Sequence, residues 1–133
     1  MHDGAMKPKI LIVDDDPVML NIYSRVFSGH DYVVVFANSV AVASALLVLN
    51  HYDLLVTDQM LGDGLGTELV LLFSQKNPGA KSLLVSGSLS EADPQALAAV
   101  SACLGKPLDI DRFMETIAKV LDKPLVRPVD NKP

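Results

Sequence analysis

Four aspartates stand where two apolar runs end: Lys9–Val13 leads into Asp14, Asp15 and Asp16, and Asp53–Thr57 leads into Asp58. Carboxylates gathered at one sheet edge repel each other, and a hard divalent cation relieves that repulsion. Mg2+ is the natural candidate, with Mn2+ as an alternative. It takes one or two protein carboxylates and leaves the rest of its octahedral shell to water or substrate oxygens. An aspartate beside such an ion can attack phosphorus, and the charge on the moving group then calls for a cation and a hydrogen-bond donor. Lys106 and Ser86, at or just beyond later apolar runs, bring a compact point charge and a hydroxyl.

Each residue has a plainer reading when taken alone. A short acidic run after a strand is often just a helix start, where carboxylates meet the helix dipole favourably. Ser86 alone is a turn residue at a strand end, and Lys106 alone a solvated lysine. Their joint placement argues for more, because all of them fall at or just after the ends of apolar runs.

The elements that must position them follow from periodicity. Lys9–Val13, Tyr32–Phe36, Asp53–Thr57, Ser82–Ser86 and Ala102–Leu104 are apolar or β-branched, most of them continuously. Such runs suit strands covered on both faces. Helix-length segments lie between them. Asp16 followed by Pro17 is an N-cap with proline at the first helical position, Ser39 and Ser90 are further caps, and Asp109 caps the last helix. Ser28-Gly29 closes the first helix and Asn77-Pro78-Gly79 the third. Strict alternation of strand and helix predicts an α/β domain, a doubly wound five-stranded parallel sheet with right-handed crossovers and helices on both faces. Ligands of such sheets bind beyond the carboxyl ends of the strands, which is where Asp14, Asp15, Asp58, Ser86 and Lys106 gather.

Composition narrows the class. The chain has 133 residues, enough for one domain, is half apolar and carries a formal net charge of −5. An acidic balance lacks the clustered Lys and Arg that nucleic acid or anionic lipid requires. The single cysteine, Cys103, has no internal partner for a disulfide, and no signal pattern opens the chain; both suit a cytoplasmic protein. No apolar stretch is long enough to span a bilayer. Residues 1–6 read as a disordered lead-in, residues 7–123 as the domain, and residues 124–133, with their prolines, as a tail or linker.

Two further segments stand out. Gly62-Asp63-Gly64-Leu65-Gly66 does not satisfy the dinucleotide fingerprint, since Thr67 holds its last place, and reads as a flexible loop. The second helix, Val40–Leu49, is apolar almost all round, whereas a surface helix carries a polar face. An alanine-rich helix tolerating exposure explains it; so does a docking face for another domain, an effector or a second copy in a homodimer.

In this order, the motifs resemble those of response-regulator receiver domains with the CheY-like, flavodoxin-like fold, from about Lys7 to about Lys123. Ile10–Pro17 resembles the first strand with its acidic pair, Asp53–Asp58 the phosphoacceptor strand, Leu61–Leu69 the following loop and helix, Leu84–Gly87 the switch-hydroxyl strand, and Lys106-Pro107 the lysine with its proline. The resemblance implies a two-component phosphorelay in which Asp58 accepts a phosphoryl group from a phosphohistidine on a partner histidine kinase or histidine phosphotransfer protein. It implies Mg2+ held by Asp15, Asp58 and the backbone carbonyl of Met60, with Asp14 acting through a bound water. Lys106 and Ser86 would contact the phosphoryl oxygens, helped by the Gly87 amide, and the Lys106-Pro107 bond would be cis. Such a chain is a signalling switch, not an enzyme with a free substrate.

This sequence departs from the family pattern in three places. Cys103 stands where an aromatic switch residue is usual, Gly62 replaces a proline, which should loosen its loop, and the stretch from Ser86 to Lys106 is short, which trims or displaces the fourth helix. Two rivals stand beside the phosphoacceptor: a degenerate receiver acting as a phosphorylation-independent interaction module, which Cys103 and Gly62 leave open, and a small haloacid-dehalogenase-like phosphohydrolase, whose nucleophile pair Asp14-x-Asp16 after an apolar strand resembles. The second leaves Asp58 without a role.

Overall fold

The computed structural model describes residues 7–87 and 94–122. Five parallel strands form the sheet: β1 (Lys9–Val13), β2 (Val33–Ala37), β3 (Leu54–Asp58), β6 (Lys81–Ser86) and β7 (Ala102–Gly105), in the spatial order β2-β1-β3-β6-β7. Two short strands, β4 (Met60–Leu61) and β5 (Gly64–Leu65), pair with each other as an antiparallel hairpin. The helices are α1 (Pro17–Phe27), α2 (Val40–Leu49), α3 (Gly66–Lys76), α4 (Pro94–Ala99) and α5 (Ile110–Val120).

The central strands are apolar without alternation because both faces are covered. Ile10, Ile12, Leu54, Val56, Leu83 and Val85 pack with Tyr23 and Phe27 of α1 and Phe113 and Ile117 of α5. On the other face Leu11, Val13 and Leu55 pack with Ala43 and Leu47 of α2 and Leu69, Val70 and Phe73 of α3. The doubly wound α/β class read from the sequence is the observed one.

The expected caps form. Asp16 accepts from the Val18 amide at 2.9 Å, Ser39 Oγ from Val42 at 3.1 Å, and Asp109 from Arg112 at 3.2 Å. Gly29 and Gly79 adopt φ of 84° and 78° after the first and third helices, a region that a side chain disfavours. Ser90 lies outside the described residues, as do 1–6, Lys123 and the segment 124–133.

Differences from the sequence reading are local. The second strand is shifted one residue onward, to Val33–Ala37, since Tyr32 turns to stack edge-on against Phe27 with ring centroids 5.8 Å apart. β3 is likewise one residue onward, at Leu54–Asp58, β7 extends to Gly105, and β6 starts at Lys81. The glycine-containing segment 62–66 is not a loose loop: Met60 pairs with Leu65 and Leu61 with Gly64, and Gly66 already begins α3. The described α4 is six residues long.

Candidate functional site

Parallel pairing of β1 and β3 sets Val13 beside Thr57, so Asp14 and Asp58 emerge at adjacent strand ends. One carboxylate oxygen from each of Asp14, Asp15 and Asp58 lies within 4.8 Å of the others. Asp14 and Asp58 are buried and Asp15 is exposed, so one side of the cluster is open to solvent. Asp16 is turned away to cap α1.

Lys106, in the turn after β7, donates from Nζ to Oδ2 of Asp58 at 3.0 Å. Its direction is set by the backbone: the Lys106 amide donates to the Ser86 carbonyl at 3.0 Å, and the Lys106-Pro107 peptide is cis. Ser86 ends β6, is buried, and follows Val85, the register partner of Asp58. The sequence-predicted residues of four strand ends are therefore brought to one edge. Met60, next but one to Asp58, is exposed at the start of the hairpin.

The electrostatics are those of an acid cluster short of positive charge. Asp14 Oδ1 accepts from the Asp16 amide at 2.9 Å, while its Oδ2 is buried with no hydrogen-bond partner. Burial pushes the Asp14 carboxyl above the usual carboxylate range, and the charges of Asp58 and Asp15 push the same way; the Asp16 amide and Lys106 oppose them. The field reaches Tyr23, whose phenol is raised by burial first and by Asp14 and Asp58 next. An orphaned buried carboxylate oxygen in an all-oxygen donor set, with one ammonium among the described residues against three carboxylates, fits a hard divalent cation.

Three residues of the site were not picked out from the sequence. A Cβ on Gly66 would run into the Asp58 carbonyl oxygen and lie 2.8 Å from Thr57 Oγ1, so only glycine lets α3 start this close to the end of β3. Buried Gln59 ties the two together: its carbonyl accepts from the Gly66 amide at 2.8 Å and its Oε1 from the Thr67 amide at 3.1 Å. Asp63, at the hairpin turn, accepts from the Val40 and Ala41 amides of α2 at 2.8 and 3.0 Å. Cys103, at the usual aromatic position, is half-buried in β7 beside Leu84, and burial pushes its thiol up.

Fold and site together define a doubly wound α/β domain with an acid cluster and a lysine at its strand ends. The family model for the response regulator receiver domain matches residues 10–118, and the chain belongs to that family. It is 31% identical over 132 residues to the response regulator protein PilR of Pseudomonas aeruginosa, covering 95% of this chain and 30% of that protein. It is 28% identical over 116 residues to the transcriptional regulatory protein GlrR of Escherichia coli, covering 86% of this chain and 26% of GlrR. The chain thus spans less than a third of these two relatives. Among solved structures, a CheY-like receiver domain protein from Methanospirillum hungatei aligns with a TM-score of 0.79 and 29% identity, covering 88% of this chain and 95% of that one. The response regulator TrrA of Thermotoga maritima, solved in complex with Mg(2+)-BeF, shares the fold with a TM-score of 0.77 at 23% identity, covering 86% of this chain and 99% of that one. Membership in this family leaves the phosphohydrolase reading without support. No helix among the described residues is long and apolar enough to cross a membrane.

Proposed function

We propose that Asp58 is the phosphoacceptor of this receiver domain and that the chain works as a switch in a two-component phosphorelay, without turnover of a free substrate. The observation that carries this reading is the Lys106 ammonium 3.0 Å from Asp58 Oδ2, beside the carboxylates of Asp14 and Asp15. An Asp58 oxygen attacks the phosphorus of a partner's phosphohistidine; the O–P bond forms as the N–P bond breaks, and the electron pair leaves on the imidazole nitrogen. Lys106 swings from the carboxylate to the transferred oxygens, and the Ser86 hydroxyl and Gly87 amide donate to them. Asp15, Asp58 and the Met60 carbonyl would hold Mg2+, with Asp14 acting through a bound water. The cation, when bound, would supply charge neutralisation for the oxygens in flight.

The family's need for a kinase or phosphotransfer partner fits a site open on the Asp15 side. The acceptor reading is favoured over a degenerate receiver because the three carboxylates, the lysine and the buried serine are all present. The test is incubation with Mg2+ and a small acyl phosphate, followed by mapping of the acid-labile mass increment. Label on Asp58, lost in Asp58→Asn and kept in Asp16→Asn, is the expected result. Label on Asp14, or none in a protein that binds Mg2+, would overturn it.

A further inference from the structure

The first turn of α2 is held by two different parts of the chain. Its four leading amides are all accounted for: Val42 donates to Ser39 Oγ at 3.1 Å and Ala43 to the Ser39 carbonyl at 3.1 Å, whereas Val40 and Ala41 donate to the two carboxylate oxygens of Asp63 at 2.8 and 3.0 Å. A helix start leaves its first donors, here Val40, Ala41 and Val42, without intrahelical partners, and its dipole favours an anion there. α2 itself has no acidic residue in its first turn, so Asp63 provides the carboxylate from 22 and 23 residues away. The two amides in turn hold the Asp63 carboxyl below the usual carboxylate range.

Asp63 also sits next to a residue that borders the acid site. It follows Gly62, where a Cβ would stand 3.4 Å from Asp15 Oδ2, and precedes Gly64, where a Cβ would stand 3.1 Å from Val40 Cγ2. The hairpin turn is therefore wedged between the Asp15 carboxylate and the start of α2. The base of the hairpin is closed just after β3, where the Gly66 amide donates to the Gln59 carbonyl. Its tip, among the described residues, is hydrogen-bonded to another element through Asp63.

We propose that Asp63 is a positioning residue for the cation site: by clamping the hairpin tip onto α2 it fixes the Met60–Gly62 backbone against Asp15, and it couples cation occupancy to the start of α2. The inference rests on the proposed Mg2+ site. Coupling of this kind is reciprocal, so whatever Asp63 contributes to Mg2+ affinity, Mg2+ returns to the Val40 and Ala41 amides.

The test compares two caps of the same helix turn by Mg2+ titration of backbone amide shifts and by hydrogen exchange. Asp63→Ala removes the clamp, and Ser39→Ala removes a cap on Val42 without touching the hairpin. Asp63→Ala should weaken Mg2+ binding by about fivefold or more, the lower end of measured couplings, with Asp63→Asn, which keeps one acceptor, in between; Ser39→Ala should stay within about twofold of wild type. In the wild-type protein Mg2+ should slow exchange at Val40 and Ala41. Equal weakening by the Ala variants at 63 and 39, or no weakening by either with unchanged Val40 and Ala41 exchange, overturns the proposal while leaving the site itself standing. A wild-type protein that binds no Mg2+ overturns the site, and this inference with it.

Discussion

Lys106 Nζ and Asp58 Oδ2 are 3.0 Å apart although 48 residues separate them in the chain, and the Asp58 side chain is far more buried than its partner's, 9% against 34% exposed. The ammonium is thus the compensating charge for a carboxylate that water barely reaches. In Lys106→Met the metal-free protein should lose about 1 kcal/mol, a modest figure because the lysine remains partly solvated. Phosphorylation by a small acyl phosphate should slow by about 10²-fold, as for other preorganised charge partners. Urea unfolding and single-turnover labelling check the two effects separately; an unchanged labelling rate would remove Lys106 from the mechanism.

Asp14 gives the pH dependence. Its carboxyl is raised in the folded protein from 3.8, chiefly by burial, so the folded state holds that proton more tightly than the unfolded chain does. The metal-free fold should therefore gain stability from this group as the pH falls from neutral through the raised value towards 3.8, and lose it again as the pH rises. Asp14→Asn, which can place an N–H donor among the acceptors, should stabilise the metal-free protein at neutral pH by roughly 1–3 kcal/mol, the scale for an unpartnered buried polar group. Thermal melts across pH, with and without chelator, measure this.

Mg2+ should raise the melting temperature of the wild-type protein, since a ligand of the folded state stabilises by mass action, and its removal should reverse the gain. The same addition should do much less for Asp14→Asn, and differential scanning calorimetry at several Mg2+ concentrations gives the comparison.

Gly66→Ala should be among the most damaging single methyl additions in the chain, costing about 3 kcal/mol, the upper end for overpacking. Its Cβ meets backbone at Asp58, not the tip of a side chain that could move aside. A denaturant midpoint within error of wild type would show that α3 can start further from β3.

Leu49 and Val48 are 78% and 57% exposed on α2. Leu49→Lys should change stability by less than about 0.5 kcal/mol and reduce binding of apolar dyes. A large loss of stability would mean that the side chain is covered in solution, which sedimentation would then trace to self-association or leave to a fold contact.

What was legible in the sequence was what lies close in the chain or ends a strand. The apolar strands, the caps Asp16, Ser39 and Asp109, and the gathering of Asp14, Asp15, Asp58, Ser86 and Lys106 at one sheet edge all follow from periodicity and the rule for parallel sheets. The hairpin was not legible, because two-residue strands carry no periodic signal and its glycines read as looseness. Asp63 was missed for a related reason. Its partners Val40 and Ala41 are backbone groups, which leave no mark of their own in a sequence, and they lie on an earlier helix that already had a cap of its own in Ser39. Tyr32 read as strand because its residue type is β-prone, yet packing against Phe27 decided its place.

Far from the acid cluster, Lys7 and Leu121 line one cavity of ≈ 610 Å³ together with His51, Asp53 and Lys81. The first and last parts of the described fold thus share a pole, while Asp14 sits past the opposite end of the five-residue strand β1, about 16 Å along the sheet. The two ends of the described fold therefore meet at the pole opposite the acid cluster, and neither Lys7 nor Leu121 covers the open Asp15 side.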